Sequence, residues 1–174
     1  MIGRNDEPQY PIDAIALLKT DHRKVKNLFA RYESAGNFPT KQLIAEQVFT
    51  ELELHAHLEE HVFYPAYEAM TGKHGTQLVA DSRLAHAHVR ELMIELQGLD
   101  LDEAEFEVKF HELMGIVREH VAEEENAMFP EAQVILADQL EDLRKRNTKV
   151  ARKRWLCMHP VPPLDRALGA SGAE

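Results

Sequence analysis

The sequence predicts an all-α fold, an up-down-up-down antiparallel four-helix bundle with a basic C-terminal extension. Three observations predict it. Apolar residues recur at spacings of 3 and 4 through most of residues 11–140, Gly and Pro divide that stretch into four helix-length pieces, and no hairpin signal interrupts them. The bundle is assigned to residues 11–140, and residues 141–174 to a basic helical extension with a disordered tail.

The first helix runs from about Pro11 to Ala35, with Pro11 or Asp13 at its start and Gly36 after its end. The second starts near Thr40, a fair N-cap, and reaches Met70 before Thr71-Gly72; Pro65 kinks or loosens its last turns. The third spans about Thr76 to Gln97 and stops at Gly98. Asp102 with Glu105 forms a capping box for the fourth, which extends to about Phe129-Pro130.

Each helix carries an apolar stripe with polar gaps. Ile15, Leu18, Val25, Phe29 and Tyr32 leave a place for His22. Ile44, Val48, Leu52, Val62 and Ala66 leave His55 and Glu59. Val79, Ser82, Val89, Met93 and Leu96 surround His86. Phe106, Phe110, Leu113, Val117 and Ala127 leave His120 and Glu124. Spacings of 3 and 4 put each set on one face, so six polar residues hold core positions.

An internal repeat supports the register. At an offset of 65, His55, Glu59, Glu60 and Pro65 match His120, Glu124, Glu125 and Pro130. At an offset of 64, His22, Val25 and Leu28 match His86, Val89 and Leu92. Two copies of a helix pair suit a bundle with pseudo-twofold symmetry and not a solenoid. In such a bundle, residues equidistant from a turn share a level. The midpoints 38.5, 70.5 and 103 fall on or beside Gly36–Pro39, Thr71-Gly72 and Asp102, so the four His meet near one height. Each Glu lies one helical turn, ~5.4 Å, further along.

Burying four imidazoles and two carboxylates costs free energy unless lone pairs and charge are satisfied. A His–Glu hydrogen-bonded network is one answer, but it does not explain matched positions in both halves. Cations satisfy both requirements, since neutral imidazoles and carboxylates are ligands of Fe, Zn or Mn. One ion could hardly use six ligands on four helices, so the reading is a dinuclear site.

A core His, then His-x-x-x-Glu-Glu ending in an aromatic-Pro pair, then a second copy, resembles the hemerythrin-like (HHE cation-binding) family, in its four-histidine form. The resemblance covers roughly residues 11–140. It implies a four-helix bundle with a non-haem di-iron centre bridged by oxo, hydroxo or water. Its metal ligands would be His22, His55, Glu59, His86, His120 and Glu124, with the glutamates bridging. The ferritin-like plan is disfavoured, because it uses Glu-x-x-His pairs and two further Glu.

One departure bears on activity. Oxygen-carrying hemerythrins have a His-x-x-x-His pair on the third helix, whereas here Ser82 and Arg90 flank His86 at that spacing. Exchangeable positions on both ions suit peroxide or nitric oxide chemistry better than oxygen carriage, by analogy with the family. The expected activity is catalase- or peroxidase-like, with a shell of Val25, Val62, Val89, Val117 and Phe29 admitting small diatomic or peroxide ligands. The competing readings are a sensor or binding module for oxygen, iron or redox state without turnover, and a bundle holding structural zinc.

Other residues are weighed more lightly. His57 and His61 form a His-x-x-x-His pair that could supply ligands in a shifted register, but it lies on a different face and reads as solvent-exposed. Glu60 and Glu125 would add a ligand, hydrogen-bond a ligand His, or serve as surface charge. Tyr32 and Tyr64 read as packing, with a place bordering the site as the alternative, and His74, His88 and His111 read as surface residues.

Composition excludes other classes. The net charge is −10, with 8 Lys/Arg against 4 Asp/Glu from residue 141 onward and 12 against 26 before it. So acidic a body is not expected to bind nucleic acid. The chain shows no membrane span or signal-like apolar start, and the lone Cys157 excludes an internal disulfide; the cytoplasm is the expected compartment. Residues 144–154 hold seven basic groups and no acidic one, which reads as a solvated helix end or as a segment docking on an acidic surface of this or another subunit.

Overall fold

The computed structural model describes residues 13–98 and 103–158, with residues 103 and 151–158 as backbone alone. Six α-helices form among the described residues: α1 (Ala14–Ser34), α2 (Phe38–Leu58), α3 (Tyr64–Gly98), α4 (Glu103–Glu123), α5 (Phe129–Ile135) and α6 (Leu140–Met158). Two π-helical turns, π1 (Glu59–Phe63) and π2 (Glu124–Met128), join α2 to α3 and α4 to α5. There is no strand among the described residues. The fold is the all-α four-helix bundle that the sequence predicts, with α1 packed on α2 and α3 on α4.

The chain reverses inside α3 at Gly72, whose φ of 59° and ψ of −140° lie in a region open to glycine and strained for other residues. That is the stop expected at Thr71-Gly72. The Asp13 carboxylate caps α1 by accepting from the Ala16 N–H at 2.7 Å. The cap of α2 differs from expectation. Asn37 holds that place, its side chain accepting from the Thr40 N–H at 2.9 Å, and Pro39 fits the first turn, where its missing N–H has no role. Pro11, the Asp102 cap and the tail beyond residue 158 lie outside the described residues.

Each π turn precedes a proline. The Tyr64 N–H bonds to the Glu59 carbonyl and the Phe129 N–H to the Glu124 carbonyl, both five residues back. Pro65 therefore loosens the second helix in the form of a π turn, and Pro130 is accommodated in the first turn of α5. The last bundle helix consequently continues past Phe129-Pro130 to Ile135. The extra residue also slips the apolar register. Ala127 is exposed and Ala66 half-buried, while Phe63, Tyr67, Met128 and Ala132 are buried in their place.

Two apolar layers enclose the polar level. One holds Val25, Phe29, Tyr32, Phe49, Phe110 and Val117, among others. The other holds Ile15, Leu18, Leu58, Phe63, Tyr67 and Phe129, and it includes Leu140 and Leu143 of α6. This last helix packs on α1, α2 and π1. Its first turns are therefore part of the bundle core, and Leu143 is 2% exposed.

Candidate metal centre

The six residues converge between the apolar layers, and none is more than 6% exposed. His22 of α1 and His55 of α2 bring their Nε2 atoms to 3.0 Å, and His86 of α3 and His120 of α4 do the same at 3.0 Å. Glu59 opens π1 and Glu124 opens π2. Glu59 lies 3.1 Å from His55 Nε2 and 3.3 Å from His86 Nε2, so it links the two halves. Glu124 does so in reverse, 3.5 Å from His120 Nε2 and 3.4 Å from His22 Nε2. Ligand-type atoms of His22, His55, Glu59 and Glu124 lie within 4.8 Å of one another, as do those of Glu59, His86 and His120.

The outer ring nitrogens fix which atoms face inward. Glu125 Oε1 is 2.8 Å from His22 Nδ1, and Glu60 Oε1 is 2.9 Å from His86 Nδ1. Each carboxylate reaches across to a helix of the other half. Lys26 Nζ donates to Glu125 at 3.4 Å, and Arg90 Nη2 donates to Glu60 at 2.8 Å. A carboxylate on Nδ1 keeps the proton there and turns the Nε2 lone pair toward the cluster. Of the roles weighed for Glu60 and Glu125, hydrogen bonding to a core His is the one the structure shows.

Of the two places open to Tyr64, packing or the border of the site, the structure shows the second. Its hydroxyl donates to Glu124 Oε1 at 2.8 Å and lies 3.2 Å from Glu59 Oε2. Its ring stacks on His86 at 5.9 Å, and Phe129, its counterpart in the repeat, stacks on His22 at 5.5 Å. In a regular α-helix, residues five apart diverge in direction; the five-residue bond of a π turn brings them to one face. Pro65 was the sequence signal. Tyr32 sits elsewhere, stacked on Phe110 at 4.0 Å.

Charge is shared within the cluster. Burial disfavours the charged form of His55, but Glu59 and the carboxylate of Asp21 outweigh it and hold its pKa well above the usual value. Burial opposes charge on His86 too, and the carboxylates of Glu59 and Glu60 beside it push it up to about 9. Glu59 stays well below the carboxylate range despite complete burial, through the charge of His55 and the imidazoles of His120, His55 and His86 around it. Burial of Glu60 is likewise outweighed, by His86 and Arg90, which bring it down to about 2. The Tyr64 phenol is raised by burial and by the charges of Glu59 and Glu124.

The remaining candidates fall outside the cluster. His57 is half-buried and its ring lies tilted against that of exposed His61 at 4.0 Å; neither is in the ligand groups. His74, His88 and His111 are exposed. A cavity of about 30 Å³ opens on the four imidazoles and not on Glu59 or Glu124. Its walls include Val25, Val89 and Val117, as expected, but Leu52, Met93 and Val121 stand where Val62 and Phe29 were expected. Val62 and Phe29 are buried away from it, in the layers on either side.

Bundle, paired His-x-x-x-Glu segments and buried cluster together define a class of helical cation-binding domain. Residues 13–132 match the hemerythrin HHE cation binding domain, and the chain belongs to that family. An uncharacterised hemerythrin-like protein of Schizosaccharomyces pombe is 28% identical over 142 residues, covering 82% of this chain and 70% of the relative. A DNA nickase of Nostoc is 27% identical over 113 residues, which is 65% of this chain and 31% of the nickase. The crystal structure of a hemerythrin HHE cation binding domain-containing protein from Mycobacterium kansasii superposes with a TM-score of 0.68 at 21% identity. That match covers 85% of this chain and 93% of the other and concerns the fold. No helix among the described residues is long and apolar enough to cross a membrane.

Proposed function

We propose that the cluster holds two iron ions and that the protein turns over hydrogen peroxide in the cytoplasm, dioxygen and nitric oxide being the other guests the site would admit. The carrying observation is the donor set itself. Glu59 Oε1 and Glu124 Oε2 are buried without a hydrogen-bond partner, beside facing Nε2 pairs at 3.0 Å. Two inward lone pairs at that distance repel unless a proton or a cation lies between them. Cations bound by His22 and His55, and by His86 and His120, with Glu59 and Glu124 reaching both, would satisfy every one of these atoms.

Bound there, the irons would supply two adjacent centres that pass between ferrous and ferric states. The chain does the rest. Glu125 and Glu60 hold the protons on His22 Nδ1 and His86 Nδ1 and orient both rings. Tyr64 holds the two carboxylates at a common point through its hydroxyl. The cavity walls exclude bulk water and restrict the guest to a few atoms, while Glu53 and Arg90 supply the charged part of the lining. Disproportionation suits such a site, since two peroxides give two waters and one dioxygen with no outside reductant.

Dioxygen release after adding peroxide to the iron-loaded protein tests this reading. Turnover that disappears in His55→Ala and Glu124→Ala is expected. Iron-loaded protein that binds peroxide or dioxygen without turnover would overturn it in favour of a sensor.

A further inference from the structure

We infer that the two metal positions are unequal and that Asp21 sets the difference, so that the His22/His55 position fills first and the His86/His120 position is the labile one. The inference rests on the two-metal reading above. The paired ligands are alike in kind, so the inequality must come from what surrounds them.

A His that binds metal through Nε2 keeps its proton on Nδ1, and that buried N–H needs an acceptor. Three of the four imidazoles have a carboxylate there. His22 has Glu125 and His86 has Glu60. His55 Nδ1 is buried without a hydrogen-bond partner, but Asp21 Oδ2 stands 3.8 Å away, within ion-pair range, on a side chain 25% exposed. His120 Nδ1 is likewise buried without a hydrogen-bond partner, and the carboxylates beside His120 stand at its Nε2 and not at Nδ1. The repeat accounts for this: at the offset of 64 that relates His22 to His86, Asp21 corresponds to Ala85.

A second difference acts in the same direction. Arg90 and Lys26 are repeat counterparts, yet Arg90 donates to Oε1 of Glu60, the oxygen that also serves His86 Nδ1. Lys26 instead takes Oε2 of Glu125 and leaves Oε1 to His22. The His86 imidazole thus shares its acceptor with a full positive charge at 2.8 Å, which makes it the poorer electron donor. Asp21 is a positioning residue in this scheme, acting on the ion through His55.

The test is a chelator-competition titration of the full-length metal-free protein with Zn²⁺, read alongside the imidazole ¹⁵N resonances. One equivalent of Zn²⁺ is expected to shift His22 and His55 before His86 and His120. Asp21→Ala is expected to weaken the tighter step by about 10–100-fold, the usual effect of removing a carboxylate behind a ligating His. Ala85→Asp supplies the missing acceptor and is expected to strengthen the weaker step; the double variant reverses the order of filling. Two bound ions with constants unmoved by Asp21→Ala and Ala85→Asp would overturn this inference alone. No binding of Zn²⁺ at all would overturn it together with the two-metal reading.

Discussion

Tyr64→Phe removes a single oxygen from the centre of the molecule. The ring loses no packing partner, because Phe129 already occupies the equivalent place in the other half against His22. What disappears is a hydroxyl that donates to Glu124 at 2.8 Å and lies 3.2 Å from Glu59, with tyrosine and Glu59 both 0% exposed. One hydroxyl proton serves one carboxylate at a time, so the loss is that of one hydrogen bond to a charged group, about 1.5–3 kcal/mol. For a domain of this size, 2 kcal/mol lowers Tm by roughly 4–8 °C. Cations on the same carboxylates compensate them, so with metal bound the expected cost falls below about 1 kcal/mol. By linkage the variant then binds metal more tightly, by roughly 5–30-fold for a difference of 1–2 kcal/mol. Urea unfolding of chelator-treated and Zn²⁺-saturated protein measures both states. An equal cost in the two states would refute the idea that tyrosine and cation serve the same oxygens.

Three further outcomes are expected. Leu143→Ala, in the extension assigned to residues 141–174, empties a site 2% exposed and costs about 2–5 kcal/mol in chemical denaturation; under 1 kcal/mol would place α6 outside the cooperative unit. Gly72→Ala forces an L side chain to φ 59°, ψ −140° and lowers stability by about 1–3 kcal/mol in the same assay, without changing metal stoichiometry. Tyr67, raised by burial and by its hydrogen bond to Glu131, ionises above the range of free phenols. A folded-state pKa above the unfolded value of about 10 means that its contribution is full below pH 10 and is lost as pH rises through the folded value. Tyr67→Phe should remove one late-titrating phenol from the ultraviolet titration and flatten the alkaline fall in stability.

The parts of the fold legible in the sequence are those where a regular α-helical period holds. From Ile44 to Glu59, and from Phe106 to Glu124, spacings of 3 and 4 track one face, and the residues in the gaps of those stripes meet in the interior. Beyond Glu59 and Glu124 the π turns break the period. Tyr64 and Phe129 then move onto the cluster face while Ala127 moves off it, which a regular helix does not foresee. Asn37 displaced Thr40 as a cap because Pro39 tolerates the first helical turn and thus let the helix begin earlier. Glu60 and Glu125 were ambiguous for a different reason. Each contacts a His of the other half, at a sequence distance of 26 and 103 residues, so their role depends on a tertiary contact. In α6, the core residues Leu140 and Leu143 stand beside a run of basic residues whose charge dominates the local pattern.

Anomalous diffraction at the iron edge, from crystals of protein reconstituted with ferrous salt under anaerobic conditions, bears most directly on the centre. Two iron peaks are expected, one against His22 and His55 and one against His86 and His120, with Glu59 and Glu124 between them. A cavity without metal in ample iron, its imidazoles and carboxylates bonded only to one another, would contradict the assignment.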